Sequence, residues 1–105
     1  MSREATLEAR CCALAKRMGV YPIKLGGFVV GLPDRLFLLP DGRVWLVEFK
    51  TPEGRLEPRQ KFEFERLHEL GHPVTICRTY FGFKRDLDKL LLIPRAPKQM
   101  RLELT

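Results

Sequence analysis

Long apolar runs are missing from this sequence. None approaches the roughly 20 residues that a membrane-spanning helix requires, which excludes a helical membrane protein. The opening Met1-Ser2-Arg3-Glu4 continues in mixed charge, with no basic stretch leading into an apolar one, so no secretory signal is expected. Cysteine is scarce: Cys11, Cys12 and Cys77 are the three present, and none belongs to a CxxC. The odd count argues against a disulfide framework and for a reducing, cytoplasmic location, with all three expected as small buried hydrophobes. Histidine is scarcer still, with His68 and His72 alone. They lie in His68-Glu69-Leu70-Gly71-His72, which matches the HExxH pattern of zinc peptidases. That chemistry needs both imidazoles on one helical face and a third protein ligand. Gly71 is a poor helix former and Pro73 follows at once, so His72 is expected beyond the helix end. With no third histidine, a zinc peptidase is not expected. Internal repeats and low-complexity tracts are also absent.

What remains is a chain of 105 residues, the size of one domain and long enough to bury a core without a covalent staple. Nineteen Lys and Arg against thirteen Asp and Glu leave a formal charge of +6. A small basic domain suggests a polyanionic partner, nucleic acid before membrane.

The apolar periodicity divides the chain into alternating elements. Leu7, Cys11, Leu14 and Met18 recur on one helical face, so Ser2 to Met18 reads as a helix with Ser2 as its cap and Gly19 as its stop. Tyr21 to Leu25 reads as a short strand broken by Gly26-Gly27, and Phe28-Val29-Val30 as resumed extended structure. Arg35 to Leu39 and Val44 to Lys50 are strands joined by Pro40-Asp41-Gly42, in which Pro presets φ and Asp-Gly tolerates positive φ. Pro58 suits the first turn of a helix running to about Leu70, with Phe64, Leu67 and Leu70 as its buried stripe. Val74 to Cys77 is expected as a buried strand and Lys84 to Leu92 as a final helix. Residues 94–105 read as a basic tail, in which Met100, Leu102 and Leu104 alternate as in a short strand. The order α-β-β-β-α-β-α implies an α/β fold with a mixed sheet flanked by helices.

Chemistry concentrates at the hairpin. Side chains alternate along a strand, so Val44, Leu46, Glu48 and Lys50 share one face and Trp45, Val47 and Phe49 the other. Two opposite charges thus enter the end of an apolar strand. Charge placed there costs stability unless it is paired or binds something. Asp34 begins the partner strand, and the turn brings it towards Glu48. Two close carboxylates repel one another and raise a pKa unless a cation lies between them, and hard oxygen ligands suit Mg²⁺. Lys50 beside them can orient a water or stabilise charge on a phosphate. This is a complete set for phosphodiester hydrolysis.

Pro33-Asp34 followed by Glu48-Phe49-Lys50 resembles the PD-(D/E)xK nuclease signature. Gly31-Leu32-Pro33-Asp34, Val47-Glu48-Phe49-Lys50-Thr51, Gly54 and Gln60 together resemble the virus-type replication-repair nuclease domain, VRR-NUC, across roughly Glu8 to Cys77. The resemblance implies a restriction-endonuclease-like core over residues 1–93 and dependence on Mg²⁺ or Mn²⁺. It further implies that Asp34, Glu48 and the backbone carbonyl of Phe49 bind the metal, that Lys50 is the catalytic lysine and that Gln60 supports the site. A glutamate of the first helix often joins such sites; Glu8 is the candidate and Glu4 its rival. Where related sequences carry Ser or Thr before the helix bearing the glutamine, this chain has Glu57. The expected function is a metal-dependent DNA endonuclease selective for branched DNA such as four-way junctions, acting as a homodimer. The alternative is a non-catalytic nucleic-acid-binding module. Lys84, Arg85 and Lys89, with Arg95, Lys98 and Arg101 of the tail, are the candidate phosphate contacts. Leu90-Leu91-Leu92-Ile93 and the tail are candidate dimer surface.

Overall fold

The computed structural model describes residues 2–92; Ile93 and the basic tail 94–105, with the alternation of Met100, Leu102 and Leu104, lie outside the described residues. Seven elements follow in the expected order: α1 (Arg3–Arg17), β1 (Tyr21–Lys24), β2 (Arg35–Leu38), β3 (Val44–Phe49), α2 (Pro58–Glu69), β4 (Val74–Cys77) and α3 (Tyr80–Leu92). Ser2 caps α1, its Oγ accepting from the Ala5 amide at 3.0 Å.

The strands form one mixed sheet in the order β1-β2-β3-β4. The first three pair antiparallel through short connections, and β4 lies parallel to β3 because the chain returns through α2. The β2–β3 register runs from Arg35 opposite Val47 to Leu38 opposite Val44. Across the turn, Leu39 and Arg43 stay bonded, the Leu39 amide donating to the Arg43 carbonyl at 2.9 Å.

Strand alternation sorts β3 between two layers. Trp45, Val47 and Phe49 enter the main core with Phe37 of β2, Cys11, Leu14 and Ala15 of α1, and Phe83 and Leu87 of α3. Phe37, Trp45 and Phe83 form its aromatic centre, with ring centroids 5.0 to 5.6 Å apart. The Trp45 indole N–H donates to Thr75 Oγ1 at 2.8 Å, so burying that ring orphans no donor. Helix α2 covers the opposite face, and Phe64 is its buried side chain.

The structure departs from the expectations at four places. Phe28-Val29-Val30 is not extended; it lies in consecutive turns, exposed to water. Leu70 is 70% exposed, because α2 ends at Glu69 and the chain turns away. Val74, Thr75 and Ile76 are only partly buried, since β4 is an edge strand. Helix α3 begins at Tyr80 rather than Lys84, where Thr79 Oγ1 accepts from the Gly82 amide at 3.0 Å. That cap recovers for the helix a glycine which lowers its intrinsic propensity.

The end of α2 also disposes of the HExxH pattern. Gly71 adopts φ +88°. Its amide donates to the His68 carbonyl at 2.9 Å and the His72 amide to the Leu67 carbonyl at 2.8 Å, the paired bonds of a Schellman cap. His72 therefore belongs to the stop signal and does not follow His68 along one helical face.

Candidate active site

Proline at 33 places Asp34 at the head of β2, directly across from the end of β3. The two strand ends interlock through side chains. Glu48 Oε1 accepts from the Asp34 amide at 3.1 Å, and Asp34 Oδ2 accepts from the Phe49 amide at 2.8 Å. Each carboxylate thus closes a backbone bond of the other's strand. Glu48 Oε2 accepts from Gln60 Nε2 at 2.9 Å and lies 3.4 Å from Lys50 Nζ. Gln60 in turn accepts through Oε1 from the Glu57 amide at 3.0 Å, so the start of α2 fixes the amide that holds Glu48. The Lys50 backbone donates to the Cys77 carbonyl at 3.0 Å, anchoring the strand end between its neighbours.

The electrostatics follow from burial. Glu48 is 3% exposed, and among the described residues it is the one charged residue that is buried as a whole. Loss of water pushes its carboxyl up from the ordinary range to about 7, and the Asp34 charge adds to the rise; Lys50 and Gln60 act against it. Asp34 is also raised, first by burial, against the hydrogen bond from Phe49, with the charge of Glu8 raising it further and that of Glu4 doing so least. The pair is thus strained towards protonation while held in place by donors.

Which residues could hold a metal is then limited. No group of three or more His, Cys, Asp or Glu side chains is arranged for a metal among the described residues. Asp34 and Glu48 are the two carboxylates that come together, with the Phe49 carbonyl between Glu48 and Lys50 in sequence. Their oxygens are hard donors, and a divalent cation would stabilise the charged forms that burial disfavours in both groups. Gly26 lies beside Asp34: a Cβ there would stand in ordinary contact, 3.5 Å from Asp34 Oδ1. Glu8 is close enough for its charge to act on Asp34, and it is ion-paired with Arg35. Its Oε2 lies 2.6 Å from Arg35 Nε, both side chains mostly buried. Glu4 is partly buried one turn earlier. Arg35 was not anticipated as the partner of Glu8, and its position beside Asp34 in the sequence is the one signal that could have pointed to it.

Lys84, Arg85 and Lys89 are exposed on α3; Lys84 pairs with Asp88 at 3.0 Å and Arg85 with Asp86 at 3.6 Å. On the helix that carries Gln60, Arg59 and Arg66 are 59 to 60% exposed and share Glu63 as partner.

An aspartate opening one strand after a proline, a Glu-x-Lys closing the next against it and a helix-borne glutamine behind them, all on a mixed four-stranded sheet, make up a nuclease core of the PD-(D/E)xK superfamily. Within that superfamily the VRR-NUC domain model matches residues 3–80, most of the chain, and the chain belongs to the VRR-NUC family. A solved VRR_NUC domain shares the fold with a TM-score of 0.76 at 24% identity, over 84% of this chain and 97% of its own. A protein of Acyrthosiphon pisum secondary endosymbiont phage 1 bearing the name "Putative nuclease p44" is 46% identical over 61 residues, or 58% of this chain. The match spans 60% of that relative's length, less than two thirds of it.

Proposed function

We propose that this chain is a metal-dependent DNA endonuclease that hydrolyses phosphodiester bonds, with branched DNA such as four-way junctions as its substrate. The observation that carries the reading is the interlocked Asp34–Glu48 pair with Lys50 Nζ 3.4 Å from Glu48. Asp34, Glu48 and the Phe49 carbonyl would hold Mg²⁺ or Mn²⁺. Such an ion, when bound, polarises a phosphoryl oxygen and makes water more acidic. The chain's own residues do the rest. Gln60 keeps one Glu48 oxygen directed and leaves Glu48 no freedom to turn away. Lys50, mostly buried and fixed by its ion pair, supplies positive charge where the phosphate becomes more negative, or orients the attacking water. Asp34, tied to the Phe49 amide, keeps β2 and β3 in register across the site.

Non-catalytic nucleic-acid binding accounts for the charge but not for two carboxylates gathered where a phosphate would be repelled. A domain this small offers few elements for reading bases in a groove, which favours recognition of DNA shape through its backbone. The test is a cleavage panel of duplex, single-stranded, flap and four-way-junction DNA in Mg²⁺, Mn²⁺ or EDTA. Cutting is expected with either metal, none in EDTA, and most on branched substrates. Tight binding with no cutting under any metal would leave the binding module as the answer.

A further inference from the structure

Phe28, Val29 and Val30 are 80%, 58% and 75% exposed, three consecutive apolar side chains in water. Such a run is unfavourable on a soluble surface unless something covers it in use. The loop that carries it is held at both ends. At its start the Leu25 and Gly26 amides donate to the Asp34 carbonyl at 2.9 and 3.2 Å. At its end Gly31, with φ +92°, lies so close to α2 that a Cβ would meet Glu63 Cγ at 2.7 Å and Arg59 Cγ and the Arg59 carbonyl at 3.2 Å. The apolar tip is therefore presented beside the carboxylates: Gly26 to Leu32 line, with Asp34 and Gln60, a cleft of about 290 Å³. Arg59, mostly exposed, packs against Gly31 at the end of the loop and precedes Gln60 on α2.

We propose that this loop is the substrate-reading element of the site. Phe28 stacks on an unpaired nucleobase of the strand whose phosphate reaches Asp34 and Glu48, Val29 and Val30 pack against the neighbouring base, and Arg59 meets a flanking phosphate. The proposal rests on the nuclease reading and adds a reason for its preference. A paired, stacked duplex presents mainly charged backbone to an apolar loop beside the scissile phosphate. An unpaired base offers a π-face, for which an aromatic side chain and a basic neighbour are the complementary pair.

The test is binding, read by fluorescence anisotropy of end-labelled single strand, four-way junction and matched duplex in Ca²⁺, with strand length checked after each titration. Phe28→Ala is expected to weaken single-strand and junction binding by about tenfold and to leave duplex binding unchanged. Phe28→Trp should retain affinity, and its emission should be quenched by the single strand above the background of the buried Trp45. At so exposed a position neither change threatens folding. Single-strand and junction binding by Phe28→Ala as tight as the wild type's, or an equal loss on all three DNAs, overturns the proposal and leaves the nuclease reading intact. A halved mass by light scattering in Phe28→Ala, with single-strand affinity unchanged, also overturns it and assigns the loop to a contact between copies of the chain. A wild-type protein that binds none of the DNAs removes the nuclease reading and this proposal together.

Discussion

At the scale of the residue, Glu48 links stability to function. Its carboxyl lies near 7 in the folded chain against an ordinary 4.5, so the folded state holds its proton more tightly than the unfolded one. A raised group contributes stability that is present below the unfolded value and is lost as pH rises through the folded value. The metal-free protein is thus expected to lose stability between about pH 4.5 and 7, by at most about 3 kcal/mol. Glu48→Gln should flatten that slope in thermal unfolding followed in EDTA. Affinity for Mn²⁺ should rise with pH across the same window, because the ion competes with the proton; a calorimetric titration independent of pH would remove Glu48 from the ligand set. Asp34→Ala or Glu48→Ala should abolish metal binding and cleavage alike. Lys50→Ala should bind metal normally yet cut at least about a hundredfold more slowly, since a charged ammonium is no ligand and its loss removes only charge stabilisation. Full cleavage by a clean Lys50→Ala preparation would exclude the role. These residues were legible because a period-2 pattern, one turn and one proline determine where Asp34 and Glu48 meet. The Glu8–Arg35 pair was not legible: it joins residues 27 apart, and nothing local to α1 shows which way it docks on β2.

At the scale of the element, the sequence was easiest to read where local chemistry and tertiary demand agree. Pro40-Asp41-Gly42 favours a turn, and the flanking alternation fits strands buried on one face, so β2 and β3 could be drawn before any contact was known. Disagreement marks the misses. Val and Phe favour strands, which made Phe28-Val29-Val30 read as extended; their partners are missing, and two glycines with positive φ, Gly27 and Gly31, curl the segment into turns. Gly82 hid the first turn of α3, and with it Phe83, one of the most buried side chains in the core. The two loop glycines give a paired test. Gly27 has φ +91° and nothing within 4 Å of an added Cβ, so Gly27→Ala should cost only the backbone strain of that conformation, about 1 to 2 kcal/mol. Gly31→Ala adds a collision with the Arg59 carbonyl and Glu63 to the same strain, and should cost more than Gly27→Ala in urea unfolding. Equal costs would show that the loop does not rest on α2 as closely as the geometry requires.

At the scale of the whole molecule, charge and symmetry decide how one small domain could act on a junction. With a formal charge of +6, DNA binding should weaken steeply with salt, by a slope of about −0.9 in log K per log salt for each phosphate contacted on duplex. A flat response would point to a protein partner. Resolving a junction takes two symmetric cuts, and one chain brings one Asp34–Glu48 pair; a two-fold dimer supplies the second by construction. The apolar end of α3 divides between two roles. Leu90 and Leu91 pack on the core and belong to the monomer, whereas Leu92 is 82% exposed and free to join a contact. The expected outcome is a light-scattering mass about twice 12.2 kDa at micromolar concentration, reduced by Leu92→Glu, since a charge would then be desolvated at the contact. Truncation after Pro94 should weaken the dimer if the tail contributes. As the dimer dissociates, paired cuts on opposite junction strands should become single nicks while cutting by each chain persists. A mass of 12.2 kDa at every concentration, with paired cuts intact, would instead mean that two independent chains visit the junction in turn.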